Sequence, residues 1–323
     1  MRLVLEQTLT APKDDFYLVV PPGGAHFAVR EAEAISIYRQ GPSGYAEVGG
    51  LALGEAKGVA LHPREDLVLL RYGDRIELRA FSGGLRAVRR VDGVLADKYG
   101  ELRCAAFDAE GTLWGSFEDG DRSSAVLFNV SVGGLATRGG VSWQGLEAGA
   151  YDLLAHPSQP MVCVVGYHGD EGEVATVVEK QGHTPQVVSH FQVGVKAPIP
   201  PAVVGFCGPE EGRIATVGVS SAEIFDGKSG AALSRVASGD TEFFSDAAAC
   251  VSGRLLVPAM HRDDGSIRVV VFSGIGLSRR HELLWDPAGQ RADEVTDLGL
   301  VRLSDERIIA LGSKRMGVFS VVL

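Results

Sequence analysis

The sequence predicts an all-β chain: a seven-bladed β-propeller of four-stranded antiparallel blades, with the last blade closed by the N-terminal strand. Three observations carry that reading. The stretch Gly212–Val236, GRIATVGVSSAEIFDGKSGAALSRV, reads as short strands rich in β-branched and apolar residues, separated by tight turns. With Val203–Phe206 before it, this makes four short strands in about 40–50 residues, the size of one propeller blade. The pattern then holds its phase down the chain. An apolar or aromatic residue closes the third strand of every copy, at Tyr38, Phe81, Phe128, Val178, Phe225, Phe272 and Phe319, with spacings of 43, 47, 50, 47, 47 and 47. Finally, the last copy holds three strands, and the chain opens on a strand with no partner before it.

Taken in order, Arg2–Thr8 alternates as a strand should and is expected to supply the missing fourth strand of the last blade, which removes two open sheet edges. The first copy runs from Phe16 to Val48, its opening strand ending at Pro21-Pro22-Gly23-Gly24, a turn signal. In the second, Lys57–Val91, Ile76, Leu78 and Ala80 alternate with Arg75, Glu77 and Arg79, which predicts one buried and one wetter face. The third, Glu101–Ala136, carries Trp114 in mid-strand, expected to pack between blades. The fourth, Tyr151–Val193, lies between Val141–Ala150 and the Pro-rich Lys196–Pro201, both read as inter-blade connectors. In the fifth, Asp226-Gly227-Lys228-Ser229-Gly230 makes a hairpin turn of residues that tolerate positive φ. The sixth is Asp246–Leu284. The seventh, Val295–Leu323, has strands at Thr296–Leu303, Arg307–Leu311 and Met316–Val322. The expected blades are thus 13–50, 56–93, 101–138, 150–193, 202–238, 246–285 and 295–323, with residues 1–10 closing the last, all in one domain.

Composition agrees. Of 323 residues, 45% are hydrophobic, enough for a large core, and the 42 glycines suit a chain of many hairpins. Helical periodicity is nearly absent. A net charge of −10 and the lack of a basic run argue against nucleic acid as a partner. Cys104, Cys163, Cys207 and Cys250 fall in strands of different copies with no CxxC pair, and are expected to be reduced core residues with no zinc. MRLVLEQTLT lacks the apolar core of a secretion signal, and no apolar run has membrane-spanning length, so a cytoplasmic location and no membrane partner are expected.

The segments ALHPREDLVLLRYGDRIELRAF (Ala60–Phe81) and IATVGVSSAEIFDGKSGAAL (Ile214–Leu233) share a strand–turn–strand rhythm with a DG-like hairpin, and the third strand of the second ends apolar-then-Asp. In this the chain resembles WD40-type β-propellers along its whole length. The likeness is degenerate: Phe225-Asp226 is the nearest echo of the Trp-Asp dipeptide, and Gly182-His183 falls after a third strand rather than before a first. The resemblance implies a platform for other proteins rather than an enzyme, and no cofactor.

It also implies that turns between second and third strands share one face with the inter-blade connectors. Those turns are charged: Arg71-Tyr72-Gly73-Asp74, Glu118-Asp119-Gly120-Asp121, His168-Gly169-Asp170-Glu171 and His261-Arg262-Asp263-Asp264. They are read as an acidic rim for a protein partner with a basic surface, the carboxylates steering association more than supplying affinity. Matching His168 and His261 beside carboxylates raise a metal-site alternative, and with it a hydrolase or lactonase type of propeller enzyme with a metal in the central funnel. A small-ligand sensor using the funnel is a third. Glu242 and Asp293-Glu294 are placed to face the funnel. His62 and His156 each precede Pro at the end of a first strand and are assigned to turn geometry; His26, His190 and His281 stand isolated, and no Ser–His–Asp order emerges.

Overall fold

The computed structural model describes residues 2–12, 16–73, 75–81, 86–92, 96–131, 134–144, 149–167, 172–193, 201–207, 212–273, 276–284, 299–312 and 315–322. Strand β1 (Arg2–Thr10) opens the chain. Blade 1 is β2 (Tyr17–Val19), β3 (His26–Arg30), β4 (Ala34–Gly41) and β5 (Gly44–Ala52); blade 2 is β6 (Gly58–Leu61), β7 (Leu67–Arg71), β8 (Arg75–Ala80) and β9 (Arg86–Asp92). A single helical turn, α1 (Ala96–Tyr99), leads to blade 3: β10 (Glu101–Phe107), β11 (Leu113–Asp119), β12 (Arg122–Ser131) and β13 (Gly134–Gln144). Blade 4 is β14 (Ala150–Ala155), β15 (Met161–Tyr167), β16 (Glu173–Gln181) and β17 (Thr184–Gln192). Blade 5 is β18 (Ala202–Phe206), β19 (Ile214–Gly218), β20 (Ser221–Phe225) and β21 (Ala232–Ala237). Blade 6 has a divided first strand, β22 (Glu242–Phe244) and β23 (Ala249–Val251), then β24 (Arg254–His261), β25 (Ile267–Ser273) and β26 (Ser278–Leu284). Blade 7 is β27 (Gly299–Arg302), β28 (Arg307–Leu311) and β29 (Arg315–Val322), completed by β1 in the order β1-β29-β28-β27.

The N-terminal strand therefore does complete the last blade, in register from Arg2↔Val322 to Thr10↔Arg315. Two expectations are corrected. Val141–Gln144 is not connector: β13 runs on through it, because Val141 and Trp143 find partners in Ala125 and Ser123 of β12. Glu77 is not on a wet face: it is 8% exposed and Arg79 Nη2 donates to it at 2.5 Å. Both faces of a middle blade are covered by sheets, so strict inside–outside alternation fails there.

The marker residues have a structural meaning. In all seven blades the outermost strand carries one extra residue opposite the third: Val48, Val88, Arg138, Val188, Leu233, Arg280 and, on β1, Glu6. In blades 1, 3, 4, 5, 6 and 7 the marker is the first third-strand residue past this bulge. In blade 2, Phe81 lies two residues past the displaced pair. Each bulge adds twist and bends the exposed outer edge, which blunts it against pairing with other chains.

The chain divides into two compact units, Asp14–Gln192 with blades 1–4, and Met1–Lys13 with Val193–Leu323, holding blades 5–7. Inside each unit the core lies between the facing sheets of successive blades. Phe117 and Phe128 of blade 3 meet Leu69 and Leu78 of blade 2; Trp114 and Leu127 meet Val162 and Val164 of blade 4. In the other unit Phe244 and Phe272 pack with Val217 and Ile224 of blade 5. Trp114 is fully buried between blades, as expected. Cys163, Cys207 and Cys250 are buried and all four thiols are free.

Candidate functional site

In the unit Asp14–Gln192 one charged residue at or next to the end of the second strand does the same job in blades 1, 2 and 3. Arg30 Nη1 and Nη2 donate to the carbonyls of Lys57 and Ala56, at 3.2 and 3.1 Å, where blade 2 begins. Arg71 Nη1 donates to the carbonyl of Leu102 in blade 3, at 3.2 Å. Glu118 replaces the cation with an acceptor and takes the N–H of Ala150 in blade 4. Each side chain crosses to the first strand of the next blade and fixes it. Two glycines make room. A Cβ on Gly58 would come 2.9 Å from Arg71 Nε, and one on Gly149, at φ +88, would meet the Glu118 carboxylate at 2.5 Å.

Between these side chains, at the ends of the inner strands, lies an open cavity of about 200 Å³. Its walls carry Arg30, Lys57, Arg71, Arg103, Tyr151 and Asp152. Arg103 and Tyr151 are themselves bulge residues, the extra positions in β10 and β14, and a bulge is a device for re-aiming one side chain. Arg103 is matched: its Nε donates to Glu118 at 2.7 Å and its Nη1 lies 3.3 Å from Glu101. Tyr151 stacks on Tyr167, centroids 4.8 Å apart, and its hydroxyl donates to Glu173. Burial pulls the Arg71 guanidinium below its ordinary pKa, with the nearby charges of Arg30 and Arg103 acting the same way against Glu101. Burial pushes the Cys104 thiol up to about 12, so it stays protonated and unreactive at neutral pH.

Asp152 opens onto the cavity, yet the protein around its flanks raises its carboxyl pKa, opposed by a hydrogen bond from the Leu153 N–H at 2.7 Å. The ionised form is thus disfavoured in the folded chain. The penalty is present once the pH exceeds the folded pKa and is absent below the ordinary value of about 3.9, where the group is protonated in both states. Asp152→Asn should therefore raise the melting temperature at neutral pH, with the gain fading as the pH falls through the carboxylate range. A gain that is the same at all pH values would show that ionisation is not its cause.

Of the sequence-predicted site residues, Asp74, His168, Asp170 and Glu171 lie outside the described residues. Tyr72 is buried rather than presented at the rim, with the Arg75 guanidinium 4.2 Å over its ring. Glu118 is also buried, and is spent on Arg103 and Ala150. Asp119 and Asp121 are exposed on either side of the Gly120 turn. In the other unit Asp263 and Asp264 are exposed, with His261 Nδ1 3.5 Å from Asp264 and 4.0 Å from Asp263. Arg262 sits 4.0 Å over the Phe243 ring. Glu242 closes a local turn, accepting the Gly239 N–H at 3.2 Å. Asp293 and Glu294 lie outside the described residues. His62 and His156 do serve turns: the Nδ1 atoms accept the N–H groups of Glu65 at 2.9 Å and Gln159 at 3.0 Å. Among the described residues no group of three His, Cys, Asp or Glu could hold a metal ion, and the cavity wall, four cations to one carboxylate, has the wrong sign for one.

The cavity residues were missed by attention to the turns alone. The available signal was Arg71, the first residue of the charged turn Arg71–Asp74, together with Arg30, which closes the second strand of the copy before it.

No family model matches the sequence, and no curated protein matches it significantly. Solved structures do match in fold. The WD40 domain of SCAP from fission yeast is 10% identical, with a TM-score of 0.59 over 99% of this chain and 98% of that one. A chain of the mitotic checkpoint complex is 13% identical, TM-score 0.62, covering 99% and 95%. The C-terminal WD40 domain of Sif2 is 11% identical, TM-score 0.55, covering 99% of each. The fold of this chain is thus the seven-bladed β-propeller found in WD40 domains.

Proposed function

We propose that this chain is a non-catalytic interaction scaffold that holds a protein partner through exposed acidic turns. The observation that carries the reading is the use made of the turn carboxylates. Glu118 is consumed inside the fold, whereas Asp119, Asp121, Asp263 and Asp264 project into solvent beside it in sequence or at the matching turn of another blade. Fold likeness supports the same direction, since one matching chain belongs to the mitotic checkpoint complex. Exposed carboxylates of this kind steer a basic surface and set its register.

The test is charge reversal in two separate variants, Asp119→Lys with Asp121→Lys, and Asp263→Lys with Asp264→Lys. Partners captured by the wild-type chain are compared with those captured by each variant, and association rates are measured for any shared partner. Loss of capture, or a fall in association rate of about tenfold or more that shrinks at high salt, is the expected result. A partner retained at the wild-type rate by both variants would overturn the proposal. Glu118→Lys is no substitute, because it disturbs the Arg103 pair.

A further inference from the structure

We propose that the cavity between Arg30, Lys57, Arg71 and Asp152 binds a small anion bearing a carboxylate or phosphate group, with Arg71 as its principal donor. The inference stands apart from the scaffold reading, since it uses other residues and neither needs the other.

The first argument is charge. Four cations line the cavity, and Arg103 alone among them is matched by carboxylates, at 2.7 and 3.3 Å. Among the described residues Arg30, Lys57 and Arg71 form no ion pair. Asp152 does not pair with them: among the described residues its carboxylate forms no ion pair, and it accepts the Leu153 N–H at 2.7 Å. A half-buried guanidinium beside two like charges is costly, and an anion at that point relieves both the repulsion and the lost hydration.

The second argument is geometry. Arg71 is pre-set: Nη1 is tied to the Leu102 carbonyl and the guanidinium lies across the bare face of Gly58. Its other N–H groups keep the planar fork that carboxylates and phosphates accept from. Arg30 is likewise tied at both terminal nitrogens and packs 4.9 Å over the Tyr17 ring, so its charge is fixed in place. Ordering these side chains costs nothing more when a ligand arrives. The third argument is size. A volume of about 200 Å³ is below the ~300–1,000 Å³ of drug-sized sites. It admits an ion or a short organic acid.

The experiment is calorimetric titration of the full chain at constant ionic strength with inorganic phosphate, malonate and the neutral isostere malonamide. Saturable binding of phosphate or of malonate, and none of malonamide, is expected; which anion binds tells a phosphate site from a carboxylate site. Arg71→Gln should weaken that binding at least about tenfold, the loss of a charged fork. Asp152→Asn should tighten it, by removing the opposing charge, while the surface control Arg122→Gln leaves it unchanged. If Arg71→Gln melts well below wild type, Gly58→Ala replaces it, because the new Cβ displaces the guanidinium without removing it. The proposal is overturned if neither anion saturates, if an acidic peptide binds where no small anion does, or if a well-folded Arg71→Gln or Gly58→Ala chain binds as tightly as wild type. Weaker binding by Asp152→Asn would overturn it too.

Discussion

Deletion of Arg2–Thr10 is expected to lower the melting temperature by about 10 °C and to make the chain self-associate. Strand β1 pairs with β29 at eight positions, from Arg2↔Val322 to Thr10↔Arg315. Net contributions of ~0.5–1.5 kcal/mol per ladder hydrogen bond put the loss near 5 kcal/mol. Leu3 packs against the blade 6–7 core, and Arg307 Nε donates to Glu6 at 2.8 Å, so both contacts go with the strand. For a chain of this size each kcal/mol moves the midpoint by about 2 °C. The bulge at Glu6, which bends the outer edge, is lost as well, leaving β29 as a straight unpaired edge of Arg315–Val322. Calorimetry and light scattering read both effects, and a synthetic Arg2–Thr10 peptide added in trans should restore the midpoint. An unchanged midpoint would mean that the terminal ladder contributes little and that blade 7 holds without it.

The number of blades was legible because one residue per copy had to satisfy two demands at once. Phe128, Val178 and Phe272 must be apolar to fill the space between sheets, and each sits where the outer strand bulges. A doubly constrained position keeps its phase even when the surrounding sequence drifts. The cavity lacks any such regularity. Arg30 and Arg71 close their second strands, whereas Glu118, of opposite charge, stands one residue before the end of its own, so neither one repeat position nor one charge marks these side chains. Arg103 and Tyr151 face the cavity because of bulges, which shift a strand's period-two alternation by one and cannot be counted from sequence. Glu118 misled for the converse reason. Its neighbours in sequence are turn residues, and its partner Arg103 lies across the sheet, fifteen residues away. Sheet partners decide whether a turn carboxylate is free to meet another molecule.

Trp114→Ala should be the most damaging single substitution, at about 3–5 kcal/mol. The indole is fully buried, packed on Leu127 in its own blade and on Leu153, Val162 and Val164 of the next, so truncation opens a void between two sheets that cannot close independently. Its Nε1 also donates to Asp108 Oδ2 at 2.9 Å. Asp108 is wholly buried, and Oδ1 accepts the N–H groups of Glu110 and Thr112 at 2.9 Å each, shaping the turn between β10 and β11. Burial raises the Asp108 carboxyl pKa against the pull of these donors, led by the indole. Trp114→Phe separates the two roles. It keeps most of the apolar volume and removes the donor, at a cost of about 1–3 kcal/mol for an ionised acceptor left short. The Phe penalty should shrink on acidification, because Asp108 is protonated in both folded and unfolded chains below about 3.9 and no longer needs that donor. The Ala penalty, mostly a void, should persist in acid. Equal losses for Phe and Ala at neutral pH would assign the residue's role to the hydrogen bond, and a melting point for Trp114→Ala within a few degrees of wild type would show that the two blades are not held together through it.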